Sequence, residues 1–301
     1  MYFIKAREAR TEWWRYIVTL IPPVFAYLVI GVIPLYIALM IKQAQGVPMD
    51  LERFMETTDP EAIGLDQNVG LLLLLIPSVL GFFVLLLSIV KIHGTTAGNL
   101  ASYEGRIRWK RLFTAAMVWF ILLVFAEGIF AVLDPQNYAF HFNFSKFLPL
   151  LLIALLLIPF QTWFEELLFR GYLMQGVGLL FRSRLIALLI TSLMFGFLHV
   201  LNPEVNEFGL VPTMPYYIGF GLFAGLLVIM DNGIELACGV HAINNLYSAV
   251  LVTYQGSVLK TPAIWSIRQI KPWEMNIAFF LMAVVFILIM SKRYRWGNWK
   301  K

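Results

Sequence analysis

Charge is what this 301-residue chain has least of. Only 14% of its residues are Asp, Glu, Lys or Arg, against 60% that are hydrophobic. A water-soluble domain carries roughly 25% charged and about 45–50% apolar residues, so the composition excludes a free-standing soluble fold and predicts a polytopic membrane protein. Cysteine is nearly absent as well. Cys238 stands alone, which rules out an intrachain disulfide and a Cys-rich metal cluster. Its small, apolar neighbours mark it as a packed core residue rather than a nucleophile. The net charge of +5 is spread beside hydrophobic runs, so membrane topology and anionic headgroups account for it and no nucleic acid partner is expected. There is no internal repeat, low-complexity tract or linker long enough to separate domains. Nor is a cleavable signal peptide expected, because the first apolar run starts after Arg15, is too long for a signal core and lacks a small-residue cleavage site after it.

What is present is a series of hydrophobic runs. About 20 apolar residues cross a bilayer core, and eight runs approach that length: 16–41, 70–90, 112–133, 147–169, 185–201, 215–230, 234–254 and 275–291. The expected fold is therefore an all-α bundle of about eight transmembrane helices, with bends at Pro22–Pro23, Pro77 and Pro159. Residues 1–15 mix Lys5, Arg7, Arg10 and Arg15 with Tyr2, Phe3, Ile4, Trp13 and Trp14, a pattern suited to a short helix on the membrane surface. Threading eight spans in order places the basic N-terminus, the loop 91–111, Arg182, Arg184, and the tail with Lys292, Arg293, Arg295, Lys300 and Lys301 on one side. Asp50, Glu52, Glu56, Asp59, Glu61 and Asp66 fall on the other, with Glu204 and Glu207. The positive-inside rule then assigns both termini to the cytoplasm of a prokaryotic-type plasma membrane. The aromatic stretch 138–147 suits a lipid interface on the outer side.

Within these runs a few polar residues stand out. A carboxylate at the centre of a membrane helix costs at least ~2.5 kcal/mol on insertion scales, yet Glu165 and Glu166 are adjacent in the fourth run. Glu166 and Arg170 are four residues apart on one face and can neutralise each other, which is a purely structural use. Glu165 points about 100° away and has no local partner, so it is expected to face polar groups on another helix. His199 ends the fifth run, where the commonest use of such a histidine is a hydrogen bond to a nearby carbonyl. His241 and Asn245 share a face of the seventh run and can serve simply to join helices. Glu127 reads as structural or cavity-lining, and Glu235 as close enough to the interface to be hydrated. At 1.5 Å per residue, His241 lies about 10 Å inside the cytoplasmic boundary, with Glu165 in the same half and His199 deeper, about 20 Å from the start of its run.

Taken in order, E-E-x-x-x-R, F-x-x-x-H and H-x-x-x-N on three polar-marked helices resemble the CPBP family, the CAAX-protease and bacteriocin-processing (Abi) group that includes the type II CAAX prenyl endopeptidases. The similarity covers about a third of the chain, and Gly171-Tyr172-Leu173 extends the first motif. On this resemblance, residues 1–146 hold the interfacial segment and three spans, 147–254 the catalytic core, and 255–301 a loop, the last span and the basic tail. It implies an intramembrane endopeptidase with its cavity open to the cytoplasm, acting on membrane-anchored and possibly prenylated proteins or peptides. Glu165 would be the general base on a water held with His199, His241 and Asn245 would form the oxyanion hole, and Glu166 with Arg170 would orient the site. A metal-free mechanism is preferred. The alternative makes His199, His241 and Glu165 ligands of Zn²⁺, although no H-E-x-x-H is present. Two other classes compete: a non-proteolytic immunity or scaffold protein of the same fold, and a proton-coupled transporter, for which intramembrane Glu and His are also typical.

Overall fold

The computed structural model describes residues 9–296. The surface helix expected over 1–15 thus falls mostly outside the described residues, as do Lys300 and Lys301. Residues 9–12 are not helical, and Trp13 and Trp14 instead open the first long helix.

Eight long helices follow one another among the described residues. They are α1 (Trp13–Ala44, with a π-helical turn over Ala26–Ile30), α2 (Gln67–His93), α3 (Trp109–Leu133), α4 (Phe144–Phe181), α5 (Arg184–Leu198), α6 (Leu210–Asp231), α7 (Glu235–Val250) and α8 (Pro272–Tyr294). Six of these, all but α5 and α7, are long and apolar enough to cross a bilayer. The protein is an integral, multi-pass helical bundle. At 15 and 16 residues, α5 and α7 are about 23 Å long, shorter than a ~30 Å hydrocarbon core.

Contacts between loops sort the helix ends into two groups. At one end Thr58 donates to the Val258 carbonyl, the Glu204 carboxylate accepts from Val258 N at 2.8 Å, Asn206 reaches Glu56 O, and Lys260 pairs with Asp59 at 3.2 Å. At the other, Arg10 N meets His93 O, Ile234 N meets Ala101 O, and Tyr172 donates to Tyr16 O. All eight helices run between these two ends. The acidic loops gather at the first end and the basic segments at the second, as the threading by charge requires. Three short strands lie at the acidic end: β1 (Tyr138–Phe140), β2 (Val252–Tyr254) and β3 (Trp265–Ile267). β3 is central, antiparallel to β1 and parallel to β2. Strands of three residues are too short to show an alternating pattern, so the sheet is invisible in the sequence.

Two corrections bear on the site. The fourth span does not stop near residue 169. It continues to Phe181 through a π-helical segment, Leu167–Leu173, because nothing from Leu167 to Phe181 is a helix breaker strong enough to end it. Left-handed Arg182 (φ 52°) then terminates α4, and the Ser183 hydroxyl caps α5 by accepting from Ile186 N at 3.2 Å. Glu235, expected to be hydrated, is fully buried at the basic end, where Arg108 binds both of its carboxylate oxygens, at 2.9 and 2.6 Å. Its partner lies 127 residues away, so spacing along the chain gives no hint of it. Cys238 is buried in the core as expected. Close approach of α3 and α7 depends on Gly239, where a Cβ would come within 2.3 Å of Leu112 O. Small residues of this kind let membrane helices pack backbone to backbone.

Candidate active site

The turn at 182–183 sets the height of two candidate residues. Glu165 lies sixteen residues before Phe181, and His199 fifteen after Arg184, so at 1.5 Å per residue both stand about 23 Å from the turn. The depth mismatch expected between them disappears because α4 is longer than its apolar run suggests. From α7, His241 enters at the same level.

Glu166 is completely buried, and one of its oxygens, Oε1, takes two donors. Arg170 Nη1 approaches at 3.0 Å and His241 Nδ1 at 2.7 Å. Arg170 is itself 1% exposed. Its second nitrogen donates to Gly221 O at 3.2 Å, and its guanidinium lies 4.5 Å over the Phe195 ring. The i,i+4 pair read from the sequence is therefore present, and it also holds a histidine from another helix. With Nδ1–H given to Glu166, the opposite nitrogen of His241 faces Glu165, with Nε2 3.8 Å from Glu165 Oε2. A proton on Nε2 makes Glu165, Glu166, Arg170 and His241 an electroneutral set, two charges of each sign, which is the arrangement a low-dielectric interior tolerates best.

Glu165 does have a local partner, contrary to the sequence reading. Gln161, one turn earlier on α4, donates its amide to Glu165 Oε1. The expectation failed because it considered only charged neighbours, whereas an uncharged amide at i−4 serves as well. The second oxygen, Oε2, is buried with no hydrogen-bond donor among the described residues. Asn245 donates to Gln161 Oε1 at 3.0 Å, which ties it to Glu165 through one side chain. His199 gives Nδ1–H to the Phe195 carbonyl at 2.7 Å, the bland use foreseen for it. That bond also leaves Nε2 as a free acceptor. Its ring stacks on Tyr217 at 4.4 Å, and Phe195 touches both His199 and His241. Sequence reasoning missed Gln161, Tyr216 and Tyr217, and gave no role to Asn244 or to Phe195, the first residue of the F-x-x-x-H motif. Only Gln161, four residues before Glu165, carried a usable signal.

Two further groups lie elsewhere. Glu127 on α3 accepts a hydrogen bond from Tyr138 of β1, toward the acidic end and away from this cluster. Among the described residues no group of three or more His, Cys, Asp or Glu side chains is placed to hold a metal ion. His199, His241 and Glu165 are accordingly not grouped as zinc ligands among the described residues. Beside the cluster lies an apolar cavity of about 750 Å³ between α1, α4, α5 and α6, walled by residues such as Leu20, Val24, Phe164, Phe169, Met194 and Leu198. Phe164 and Leu198 are the chain neighbours of Glu165 and His199.

Fold and site together define a polytopic helical membrane protein with a buried Glu–Arg–His–Asn cluster at the meeting of α4, α5 and α7. Residues 144–247 match the family model of the type II CAAX prenyl endopeptidase Rce1-like proteins. Over these residues the chain is similar to that family, one of CAAX-type intramembrane proteases. Over 184 residues the chain is 36% identical to YyaK of Bacillus subtilis (strain 168), an uncharacterised protein, and the match takes in 60% of each. The chain thus spans about three-fifths of the length of this curated relative. No solved structure matches it.

Proposed function

We propose that this protein is an intramembrane endopeptidase that hydrolyses peptide bonds near the membrane anchor of its substrates. The observation that carries the reading is the convergence of partly buried Glu165 with buried His241, 3.8 Å apart, with a Glu165 oxygen that has no donor among the described residues.

Glu165 Oε2 takes a proton from a water that His199 Nε2 helps to hold. The oxygen of that water attacks the scissile carbonyl, whose C=O electrons move onto oxygen. Nε2–H of His241 and Nδ2–H of Asn245 receive this oxyanion, and a fixed donor of that kind is typically worth on the order of 10²–10³ in rate. Glu165 then passes its proton to the departing amide nitrogen as the C–N bond breaks, so one water is consumed and one amine released. Glu166 and Arg170 fix His241 by its far nitrogen. The apolar cavity beside the cluster supports a substrate held by a lipid chain or an apolar segment, including the prenylated type for which the family is named. The basic end, nearer to His241, is the cytoplasmic one under the positive-inside rule.

The test is cleavage of internally quenched, lipid-anchored peptides by the purified protein in proteoliposomes, with and without chelator. Glu165→Gln is expected to lower the rate at least ~10³-fold, with unchanged thermal unfolding. Full cleavage by Glu165→Gln removes the assignment of the base, and loss of activity on chelation replaces it with a metal-dependent reaction.

A further inference from the structure

The cluster is connected through Asn245 to a chain of side chains that reaches beyond the motifs. Gln161 on α4 joins Glu165 to Asn245. Asn244 Nδ2 donates to Asn245 Oδ1 at 3.4 Å, Asn244 Oδ1 accepts from Trp119 Nε1 at 3.5 Å, and the Tyr216 hydroxyl lies within reach of both amide atoms, 3.3 Å from Oδ1 and 3.1 Å from Nδ2. Four helices, α3, α6, α7 and α4, contribute to this one path.

The two ends of the path differ in kind. The indole of Trp119 only donates, and a carboxylate only accepts. Between them lie three amides, each of which has one donor face and one acceptor face. A donor at the start and an acceptor at the end fix all three orientations: indole to Asn244, Asn244 to Asn245, Asn245 to Gln161, Gln161 to Glu165. A neutral Glu165 carrying its proton on Oε2 accepts from Gln161 at Oε1 in the same orientation, but more weakly than the carboxylate does. The path therefore agrees with one orientation of Glu165, with Oε1 held by Gln161 and Oε2 left to the site.

We propose that Gln161 is a positioning residue. With Asn244 and Asn245 it forms a polarised amide relay that holds Glu165 by Oε1, so that Oε2 faces the site. The relay also couples the general base to Asn245, so the group that activates water and a group that receives the oxyanion move as one unit. The role in catalysis rests on the protease reading. The relay's hold on the Glu165 carboxyl does not.

The experiment uses the full chain in proteoliposomes, as wild type, Gln161→Leu and the isosteric Asn244→Asp, whose carboxylate has no donor for Asn245. The first readout is kinetic, on an internally quenched peptide bearing a farnesylated cysteine. Gln161→Leu is expected to reduce kcat about 10- to 100-fold, the effect of one lost hydrogen bond to a charged group, with KM within twofold. Asn244→Asp is expected to reduce kcat about tenfold. The second readout needs no substrate: modification of Glu165 by dicyclohexylcarbodiimide, which attacks protonated carboxyls in apolar surroundings, quantified by peptide mass spectrometry at pH 7.5. Labelling is expected to rise at least threefold in both variants. Unchanged labelling in Asn244→Asp, which retains side-chain volume and packing, overturns the relay even if Gln161→Leu fails to fold. Raised labelling without cleavage by the wild type upholds the relay and overturns the protease reading. Raised labelling with unchanged kcat overturns the catalytic role of Gln161.

Discussion

The Arg170→Met variant puts the buried cluster to a quantitative test. Methionine keeps most of the aliphatic volume of arginine but removes the 3.0 Å bond to Glu166, the 3.2 Å bond to Gly221 O and the stack on Phe195. Removing one member of a buried ion pair costs about 3–5 kcal/mol, because the other charge is left uncompensated. Here the lower part of the range applies to the charge itself, since His241 still donates to Glu166 at 2.7 Å. Loss of the cation–π contact adds about 1 kcal/mol, for a total of about 4 kcal/mol. At roughly 2–3 °C per kcal/mol for a chain of this size, the apparent unfolding midpoint falls by about 8–12 °C. The assay is intrinsic tryptophan fluorescence in detergent at one fixed scan rate, because membrane proteins of this kind unfold irreversibly and the midpoint then depends on the rate. The double variant Glu166→Gln/Arg170→Met carries the decisive comparison. It removes both charges, keeps an acceptor for His241, and is expected to regain at least half of the loss. A single variant that loses less than about 1 kcal/mol, or a double variant no more stable than the single, refutes the claim that Arg170 is there to neutralise Glu166.

Two further outcomes follow from features outside the cluster. Glu204, in the short helix Pro203–Phe208 at the acidic end, is pushed above the usual carboxylate range by burial, only partly offset by the Val258 N–H and the Tyr217 and Tyr254 hydroxyls. A raised folded value means that its contribution to stability is fully present below the ordinary glutamate range and is lost as pH rises through the folded value. Wild-type protein should therefore lose stability relative to Glu204→Gln as pH goes from 4 to 7.5, and parallel melting curves across that range contradict this account. Gly239→Ala places a Cβ against the Leu112 carbonyl and is expected to cost about 1–3 kcal/mol by forcing α3 and α7 apart, read as a lower midpoint in the same fluorescence assay.

Much of the architecture is legible in the composition and in the placement of charge. Hydrophobic runs mark the helices because lipid leaves the backbone no other way to satisfy its polar groups, and the split between basic and acidic loops matches the two ends of the bundle. What escapes is set by contacts distant in sequence. The Arg108–Glu235 pair and the pairing of β1 with β3 link residues more than 120 positions apart, and no periodicity encodes either. The candidate site shows the same division. Glu166 with Arg170 is a local pair and reads directly from i,i+4 spacing. The bond from His241 to Glu166 does not, because it depends on the rotation of α7 against α4. Gln161 lies between these cases. Its i−4 spacing was visible, but an uncharged side chain draws no notice beside two glutamates.

The small sheet at the acidic end also carries information about time. Its central strand, β3, lies after all of α4 to α7 and just before α8, while its partner β1 precedes α4. A chain inserted from its N-terminus exposes β1 early, and β1 must wait for more than 120 residues of later synthesis before it can pair. Every residue of the Glu–His–Asn cluster and of its amide relay, from Trp119 to Asn245, has been made by then. The bundle around the cluster can accordingly close before the sheet does. The sheet serves as a late fastener, joined once the hydrolytic centre is already assembled, and damage to β3 should leave a correctly built site in a protein that is slow to mature.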